Sequence, residues 1–303
     1  MDLMHRLYCG RYTFCGTYAV LNAIGGDISP EIFELATGVP FGISCVDMKS
    51  ERLLTPYKNP NYGIDYAVNL WKIPYTKIED TSKQNIFDQL CQDLENRNKR
   101  IVLGPLNMGK LFYIPLCNIY DGVDHYIFVQ KRSDKEIAVM DSEGYLFSSI
   151  TYSELYRMWD VRRVYEAGGK YTYRSYENKI VEVSREEIFK HIPHLIHINI
   201  TEAEQAGQGS RAFLKAYEIL NENSLKKWRL SFLYELEYLI QRKLLTYQYV
   251  SFFTKDWEKL TDILKSQISI IADIFHDIEF EQKIEREKFQ KLSELESQLY
   301  LIV

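Results

Sequence analysis

The sequence predicts an α+β fold, with helices and an antiparallel sheet in the first half and helices alone in the second half. Three observations indicate this class. Short amphipathic segments with helical spacing precede residue 100, strand-like segments separated by turn signals follow it, and residues 210–303 contain neither glycine nor proline. A stretch of that length without either residue is typical of helices rather than of strands joined by turns.

The chain divides into three predicted ranges: a mixed domain over 1–165, a connecting segment with a strand-like stretch over 166–209, and an all-helical region over 210–303. Its 303 residues are 46% hydrophobic and 26% charged, which is enough apolar material for a substantial core. The net charge of −5 gives no overall basic field for nucleic acid or an anionic membrane.

Cysteine usage and the apolar runs predict the compartment. The five cysteines are widely spaced, odd in number and without a C-x-x-C pair, so we expect free thiols in a reducing cytoplasm rather than disulfides or a zinc ribbon. No apolar run is long enough to cross a bilayer, and the start of the chain lacks the apolar core of a signal peptide. We therefore expect a cytoplasmic protein.

The first predicted element is a short buried helix over 14–24. Apolar residues recur at i and i+4, and two glycines at 25 and 26 end it. Cys15 stands at its start, where the helix dipole and free backbone N–H groups favour the thiolate, which is the nucleophilic form. Gly16 beside it leaves room for a substrate. The alternative is that Cys15 is a small buried apolar residue.

Three more helices and four strands follow in the first half. Helices are predicted over 28–38, with Ser29 as cap and Pro30 in the first turn, over 63–71 and over 85–96. Strands are predicted over 101–106, 125–130, 136–141 and 145–150. The aromatic and basic segment 157–179 is predicted to be a crossing segment or hinge.

The second and third strands carry His125 and Asp141. The polar K-R-S-D-K between them predicts a hairpin with a five-residue loop that pairs residue 130 with residue 136. That register sets His125 opposite Asp141 on one face, close enough for the carboxylate to hold one imidazole nitrogen while the other acts as a base for a thiol. Taken separately, His125 is better explained as a half-buried strand histidine and Asp141 as a turn-capping carboxylate.

A cysteine at a helix start, followed by a strand histidine and then an Asp or Asn, is the order of papain-like cysteine enzymes. More narrowly, the front half resembles the N-terminal domain of the acyltransferase family of butirosin biosynthesis. The resemblance rests on C-G-T-Y-A-V-L-N-A-I at 15–24, I-S-P-E-I-F-E-L-A-T-G-V-P-F-G-I at 28–43, G-I-D-Y-A-V-N-L at 63–70, M-G-K-L-F-Y-I-P at 108–115, D-H-Y-I-F-V at 124–129 and V-M-D-S at 139–142.

The resemblance implies a papain-like domain and acyl transfer from a carrier-protein thioester to an amine. Cys15 would take the acyl group, His125 would move the proton, and Asp141 would orient His125. The implied partners are an acyl carrier protein and a small amine acceptor. No metal or organic cofactor is implied, although the donor would carry a phosphopantetheine arm.

The sequence departs from papain-like peptidases before the cysteine. These enzymes place an oxyanion-binding glutamine about six residues ahead of the nucleophile, and here Cys9 occupies that position. The backbone N–H of Cys15 supplies one oxyanion donor, and the second is left open among Arg11, Tyr12 and Thr13. Cys9 is also the rival nucleophile, but no apolar helical face follows it.

Several interpretations stay open from the sequence. The basic stretch after the predicted sheet, with Arg157, Arg162 and Arg163, is either a docking surface for an acidic carrier or a solvated linker. The alternatives to the transferase are a peptidase or thioesterase with the same triad, and a scaffold whose triad no longer works. The C-terminal helices leave oligomerisation open. Three histidines spaced by three residues, His191, His194 and His197, are predicted to lie in an extended strand that does not bind a metal.

Overall fold

The computed structural model of the chain describes residues 14–25, 28–46, 53–177, 183–220, 222–253 and 258–302. The described helices are α1 (Cys15–Ile24), α2 (Pro30–Thr37), α3 (Pro60–Leu70), α4 (Lys83–Glu95), α5 (Tyr152–Met158), α6 (Arg185–Phe189), α7 (Ile192–Gln205), α8 (Ser210–Ile219), α9 (Glu222–Phe253), α10 (Glu258–His276) and α11 (Arg286–Ile302), with a π-helix at Asp277–Glu281. The strands are β1 (Ile43–Cys45), β2 (Leu54–Pro56), β3 (Tyr75–Asp80), β4 (Lys99–Asn107), β5 (Asp124–Lys131), β6 (Glu136–Met140), β7 (Leu146–Thr151) and β8 (Tyr171–Glu177). Helices combined with an antiparallel sheet confirm the predicted α+β class.

The described residues fall into two compact units whose limits differ from the predicted ranges. The first contains the chain up to Thr37 together with Pro60–Ile188, and the second contains Gly38–Asn59 together with Phe189–Val303. Segment 38–59 joins the second unit because its two short strands, β1 and β2, pair with each other and bury apolar side chains against α8 and α9. Segment 166–188 belongs to the first unit because it contributes a strand to the sheet.

The first unit is built on a six-stranded antiparallel sheet with the order β3-β8-β4-β5-β6-β7. Strand β8 lies between β3 and β4, so the prediction of a hinge over 157–179 is wrong for residues 171–177. The sequence there, Y-T-Y-R-S-Y-E, combines aromatic and polar side chains with an arginine and reads as a solvated segment. Its first six residues are nevertheless buried, because both faces of this inner strand are covered.

The arginine of β8 is bound to polar side chains inside the first unit. Arg174 is fully buried and forms two hydrogen bonds with the Asp65 carboxylate at 2.6 and 3.0 Å. It also donates to the side-chain oxygen of Asn61 at 2.8 Å. Because a buried guanidinium needs such partners, Arg174 is a structural residue rather than part of a basic surface.

One face of the sheet forms the apolar core of the first unit with α4 and α5. The core includes Ile86, Leu90, Leu94, Ile101, Leu103, Ile127, Val129, Ile137, Val139, Leu155 and Trp159. Ser82 caps α4 by accepting a hydrogen bond from the Asn85 N–H at 3.4 Å, which explains why this helix begins at Lys83.

Helix α1 contacts β4 and β5. The Phe14 ring, next to the helix start, packs edge to face against Tyr126 with 5.1 Å between ring centroids. At the other end the Arg100 guanidinium donates to the Ala23 carbonyl oxygen at 3.0 Å, where a cation complements the helix dipole. Both ends of α1 are therefore fixed to the strands that carry the candidate site.

The second unit is helical apart from the β1–β2 pair within its described residues. Its described residues from 210 onward are helical apart from short connections, as the lack of glycine and proline there predicts. Its core includes Phe213, Phe232, Leu236, Ile271, Ile274, Phe289 and Leu292. The prediction of an extended strand around the three histidines is wrong, since these residues begin α7. Pro193 lies in the first turn of α7, where its missing N–H costs no hydrogen bond.

None of the described helices is both long enough and apolar enough to cross a membrane.

Candidate active site

Cys15 is the first residue of α1, as the sequence predicts. The preceding Phe14 has an extended backbone with ψ of 137° and no side-chain group that could cap the helix. The Cys15 N–H is consequently one of the helix-start donors without an intrahelical acceptor. Cys15 as a whole residue is half-buried.

Gly16 does not provide the space that the sequence suggests. It is buried, and a Cβ at this position would lie 2.5 Å from Phe14 Cε1 and 2.6 Å from Ile64 Cδ1. The glycine instead allows α1 to pack closely against α3.

His125 and Asp141 are in direct contact. The Nε2 atom of His125 lies 2.9 Å from each carboxylate oxygen of Asp141. The side chains of both residues are buried, with 2% and 0% of their surface exposed. Nε2 faces a carboxylate, so we assign the proton to this nitrogen and leave Nδ1 for the thiol.

The register that produces this contact differs from the predicted one by two residues. Lys131 pairs with Ile137 and Gln130 pairs with Ala138, rather than residue 130 with residue 136. The last pair still encloses five residues, 132–136, which is one position later in the chain than predicted. A shift of two preserves the alternation of side chains, so His125 and Asp141 remain on the same face as diagonal neighbours.

A bulge in β4 lies beside His125. Leu103 pairs with Ile127 and Leu106 pairs with His125, so β4 contains one more residue than β5 over this interval. Gly104, which precedes Pro105 through a cis peptide bond, has φ of +148°. A Cβ on Gly104 would lie 2.4 Å from the Tyr126 ring and 2.8 Å from the His125 carbonyl oxygen, so only glycine fits here.

Cys15 contacts both His125 and the following residue. Its thiol is hydrogen-bonded with the His125 side chain and accepts from the backbone N–H of Tyr126. Burial raises the pKa of the Cys15 thiol, and the Asp124 carboxylate acts in the same direction, while His125 and the Tyr126 N–H lower it in part. The net shift is opposite in direction to the one expected from the helix start, because loss of solvent outweighs the effects of His125 and the Tyr126 N–H.

The charges on His125 and Asp141 support each other. Burial alone would lower the pKa of His125, but the Asp141 carboxylate and Cys15 raise it well above its ordinary value. Burial alone would raise the pKa of Asp141, but His125, the Glu143 N–H and Tyr113 lower it. The site thus favours an imidazolium paired with a carboxylate, the state that a histidine reaches after it takes a proton from a thiol.

Sequence reasoning missed two residues at this site. Tyr113 donates from its hydroxyl to Asp141 Oδ2 at 2.8 Å. Asp124 is buried directly before His125 and acts on the Cys15 thiol. Tyr113 lies 28 residues from Asp141 and has no spacing signal. Asp124 could have been found by its position, since it stands next to the candidate base at the start of the same strand.

The remaining oxyanion candidates and the rival nucleophile lie outside the described residues. These are Arg11, Tyr12, Thr13 and Cys9. Of the oxyanion candidates, the Cys15 backbone is the one that lies within the described residues. The other four stay predictions.

The three docking candidates are exposed, but two of them are paired. Arg162 binds Asp160 with 2.7 Å between Nη2 and Oδ2, and Arg163 binds Asp121. Arg157 is exposed in the last turn of α5. Since an arginine held by a neighbouring carboxylate presents little net charge, Arg157 is the best remaining candidate of the three.

One described group has side chains close enough to hold a metal ion: His276, Asp277 and Glu281, at the end of α10. Both carboxylates already contact ammonium groups, since Lys288 Nζ lies 2.5 Å from Asp277 and Lys283 Nζ lies 2.5 Å from Glu281. A metal would have to displace these lysines. His191, His194 and His197 do not belong to this group.

A scan against known protein families finds no match for the chain. A similar protein is the uncharacterized protein YobF of Bacillus subtilis (strain 168), which is 28% identical over 190 residues. The alignment covers 61% of this chain and 60% of that protein, so the chain spans less than two thirds of the length of that relative. This similarity indicates relatedness and carries no activity.

Proposed function

We propose that the chain is a cysteine-dependent acyltransferase in which Cys15 is the nucleophile, His125 the base and Asp141 the residue that orients the base. The observation that carries this proposal is the buried His125–Asp141 contact at 2.9 Å, together with the hydrogen bond between the Cys15 thiol and the His125 side chain. A thiol, an imidazole and a carboxylate in this sequence of contacts are the parts that nucleophilic acyl transfer requires.

The first half-reaction would acylate the enzyme. His125 takes the proton of the Cys15 thiol, and the sulfur forms a bond to the carbonyl carbon of a thioester donor. The carbon–sulfur bond of the donor then breaks, and the donor thiol leaves with the proton from His125. The raised pKa of His125 favours this proton transfer, because Asp141 stabilises the imidazolium.

The second half-reaction would form the amide. An amine attacks the acyl carbon, His125 takes one amine proton, and the carbon–sulfur bond to Cys15 breaks as the thiol recovers that proton. The unpaired helix-start N–H of Cys15 supports the negative charge on the carbonyl oxygen in both half-reactions. The second oxyanion donor stays open among Arg11, Tyr12 and Thr13.

We further propose that the first unit is papain-like and that the acyl donor is a carrier-protein thioester. The chain order of Cys15, His125 and Asp141, on a helix and then on an antiparallel sheet, supports a papain-like first unit. The resemblance to the butirosin acyltransferase family supports a carrier-protein thioester as donor, a small amine as acceptor and a cytoplasmic location. No cofactor beyond the arm of the donor is needed for this chemistry.

The test is to incubate the full chain with an acyl thioester and to follow its intact mass, first without and then with a primary amine. We expect an acyl adduct that maps to Cys15, is absent in Cys15→Ala and is discharged by the amine as an amide. An adduct that water discharges at the same rate with or without amine would replace the transferase by a thioesterase. Cleavage of peptides without any adduct from thioesters would replace it by a peptidase, and loss of both would leave a non-catalytic scaffold.

A further inference from the structure

Tyr113 lies in a loop whose two ends are held together. The loop joins β4 to β5, and the Met108 N–H donates to the Val123 carbonyl oxygen at 2.9 Å. The Asn107 side chain accepts from the Gly109 N–H at 2.9 Å and from the Gly122 N–H at 3.0 Å. A loop closed at its base in this way is a compact unit with a defined inner side.

The Tyr113 ring is fixed on that inner side. It packs edge to face against Tyr145, with 5.8 Å between centroids, and against Phe112 at 6.2 Å. Its hydroxyl donates to Asp141 Oδ2 at 2.8 Å. The ring contacts set where the hydroxyl points, so the hydrogen bond does not depend on a freely rotating side chain.

The two oxygens of Asp141 have different donors besides His125. Oδ1 accepts from the Glu143 N–H at 2.9 Å, and Oδ2 accepts from Tyr113. These donors come from two different loops and together define the plane of the carboxylate. Without Tyr113, Oδ2 keeps, among the described residues, only its contact with His125.

We propose that Tyr113 is a positioning residue, whose hydroxyl holds the Asp141 carboxylate in the orientation that binds Nε2 of His125. This role rests on the proposed function of the Cys15–His125–Asp141 site and deepens it. It also gives the loop between β4 and β5 a direct connection to the catalytic histidine.

The charges around the site determine whether the pKa of His125 rises or falls when the Tyr113 hydroxyl is removed. The groups that face His125 are Asp141 and the Cys15 thiol, Tyr113 faces Asp141, and Asp124 acts on Cys15. The Tyr113 hydroxyl neutralises part of the Asp141 charge. Its removal leaves a more negative carboxylate beside the imidazole, so the pKa of His125 rises while the carboxylate loses its fixed orientation.

The experiment compares Tyr113→Phe with Tyr173→Phe, which is a matched control. Tyr173 also donates to a carboxylate, Asp93 Oδ2, at 3.0 Å, but it lies in the core of the first unit and not at the site. Each variant loses one tyrosine–carboxylate bond and keeps its ring. The readouts are the titration of the His125 ring by NMR, assigned with His125→Gln, and the pH dependence of Cys15 alkylation by iodoacetamide.

For Tyr113→Phe we expect the pKa of His125 to rise by about half a unit and turnover to fall by about tenfold. For Tyr173→Phe we expect both to stay at the wild-type values. Equal His125 titration curves in the two variants would overturn the positioning role and leave Tyr113 as a structural residue.

A second measurement uses the wild-type tyrosine. Burial and Asp141 raise the pKa of Tyr113 well above its ordinary value, so Asp141→Asn is expected to lower it in a phenol titration. An unchanged titration of Tyr113 in Asp141→Asn would also overturn the proposal. Neither titration needs turnover, so failure of the acyltransferase proposal appears separately, as a wild-type protein that forms no acyl adduct.

Discussion

His125 Nε2 lies 2.9 Å from both oxygens of Asp141, although the two residues are diagonal rather than directly opposite on neighbouring strands. By the register of the hairpin, the two residues are offset from each other by two positions. Their contact leaves the other ring nitrogen for the Cys15 thiol, and it buries an imidazole and a carboxylate together.

Cys15 should be the cysteine on which activity depends. Its contact with His125 allows the Cys15 thiol to be deprotonated during the reaction. The half-buried Cys91 on α4 is less easily deprotonated, because burial and the acidic Asp88 and Glu95 raise the pKa of its thiol. We expect Cys15→Ala to abolish acyl-adduct formation and Cys91→Ala to leave it unchanged, as measured by intact mass. Activity that survives in Cys15→Ala but is lost in Cys9→Ala would identify Cys9 as the nucleophile.

Replacing Asp141 by Asn should lower the free energy of unfolding in a pH-dependent way. The raised pKa of His125 stabilises the fold below its unfolded value of about 6.5, and this contribution is lost as pH rises through the folded value. The lowered pKa of Asp141 stabilises the fold above its unfolded value of about 3.9, and this contribution is lost as pH falls through the folded value.

The difference between wild type and Asp141→Asn should therefore be largest between about pH 4 and pH 6.5 and reach about 3 kcal/mol. Urea denaturation across pH measures it. Asp134→Asn is the control, because Asp134 pairs with Lys131 but its side chain is 95% exposed, so little change is expected. A difference that stays constant with pH would show that Asp141 acts through packing alone.

Gly104→Ala should destabilise the protein and reduce activity. The new Cβ would collide with the Tyr126 ring and with the His125 carbonyl oxygen, so β5 must move at the candidate base. We expect a loss of about 2 kcal/mol or more in the free energy of unfolding. Gly168→Ala is the matched control, since Gly168 also has a positive φ, of +55°, but nothing lies within 4 Å of the added Cβ. Similar losses in both variants would mean that backbone strain, rather than crowding at His125, limits Gly104.

Arg157→Glu should slow acylation by an acidic carrier-bound donor. Arg157 is exposed, whereas Arg162 and Arg163 are paired with carboxylates. Since rim charges act mainly on association, we expect the apparent KM to rise by about fivefold at low salt and to return toward wild type at high salt. Lys135→Glu, a charge reversal in the exposed β5–β6 loop, is the control. The docking role would be wrong if Arg157→Glu and Lys135→Glu raised the apparent KM equally, or if the rise in Arg157→Glu did not depend on salt.

Lys243→Met should strongly destabilise the second unit. The Lys243 ammonium lies 3.0 Å from Glu296 Oε2, which also accepts from Gln267 at 2.7 Å, and all three side chains are buried. Loss of the lysine leaves a buried carboxylate without its cation, at a cost of about 3 kcal/mol. Chemical denaturation should show most of that loss recovered in Lys243→Met combined with Glu296→Gln. No recovery in the double variant would indicate that the lysine stem, not its charge, supports the packing.

The sequence by itself determined the elements that depend on local physics. The apolar spacing of α1 and α4, the turn residues around β5 and β6, and the lack of glycine and proline after residue 209 each depend on neighbours in the chain. Cys15 at a helix start and His125 on a strand could be predicted in this way, and Asp141 lies directly after the next strand, which ends at Met140, one residue earlier than predicted. The even alternation of side chains along a strand preserved their shared face despite a register that was wrong by two residues.

Only the tertiary structure decided the features that depend on distant partners. Strand β8 looks polar in sequence because nothing local reveals that Asp65 and Asn61 bind the Arg174 guanidinium. Pro193 made the segment around His191 look extended in sequence. It is tolerated in α7 because it falls in the first turn, and the sequence alone does not show where that helix begins. Burial reversed the expected pKa shift of Cys15, and the Tyr113 bond to Asp141 joins two loops that no periodicity relates. Solvent exclusion and contacts of this kind arise only once the chain has folded, so local spacing does not contain them.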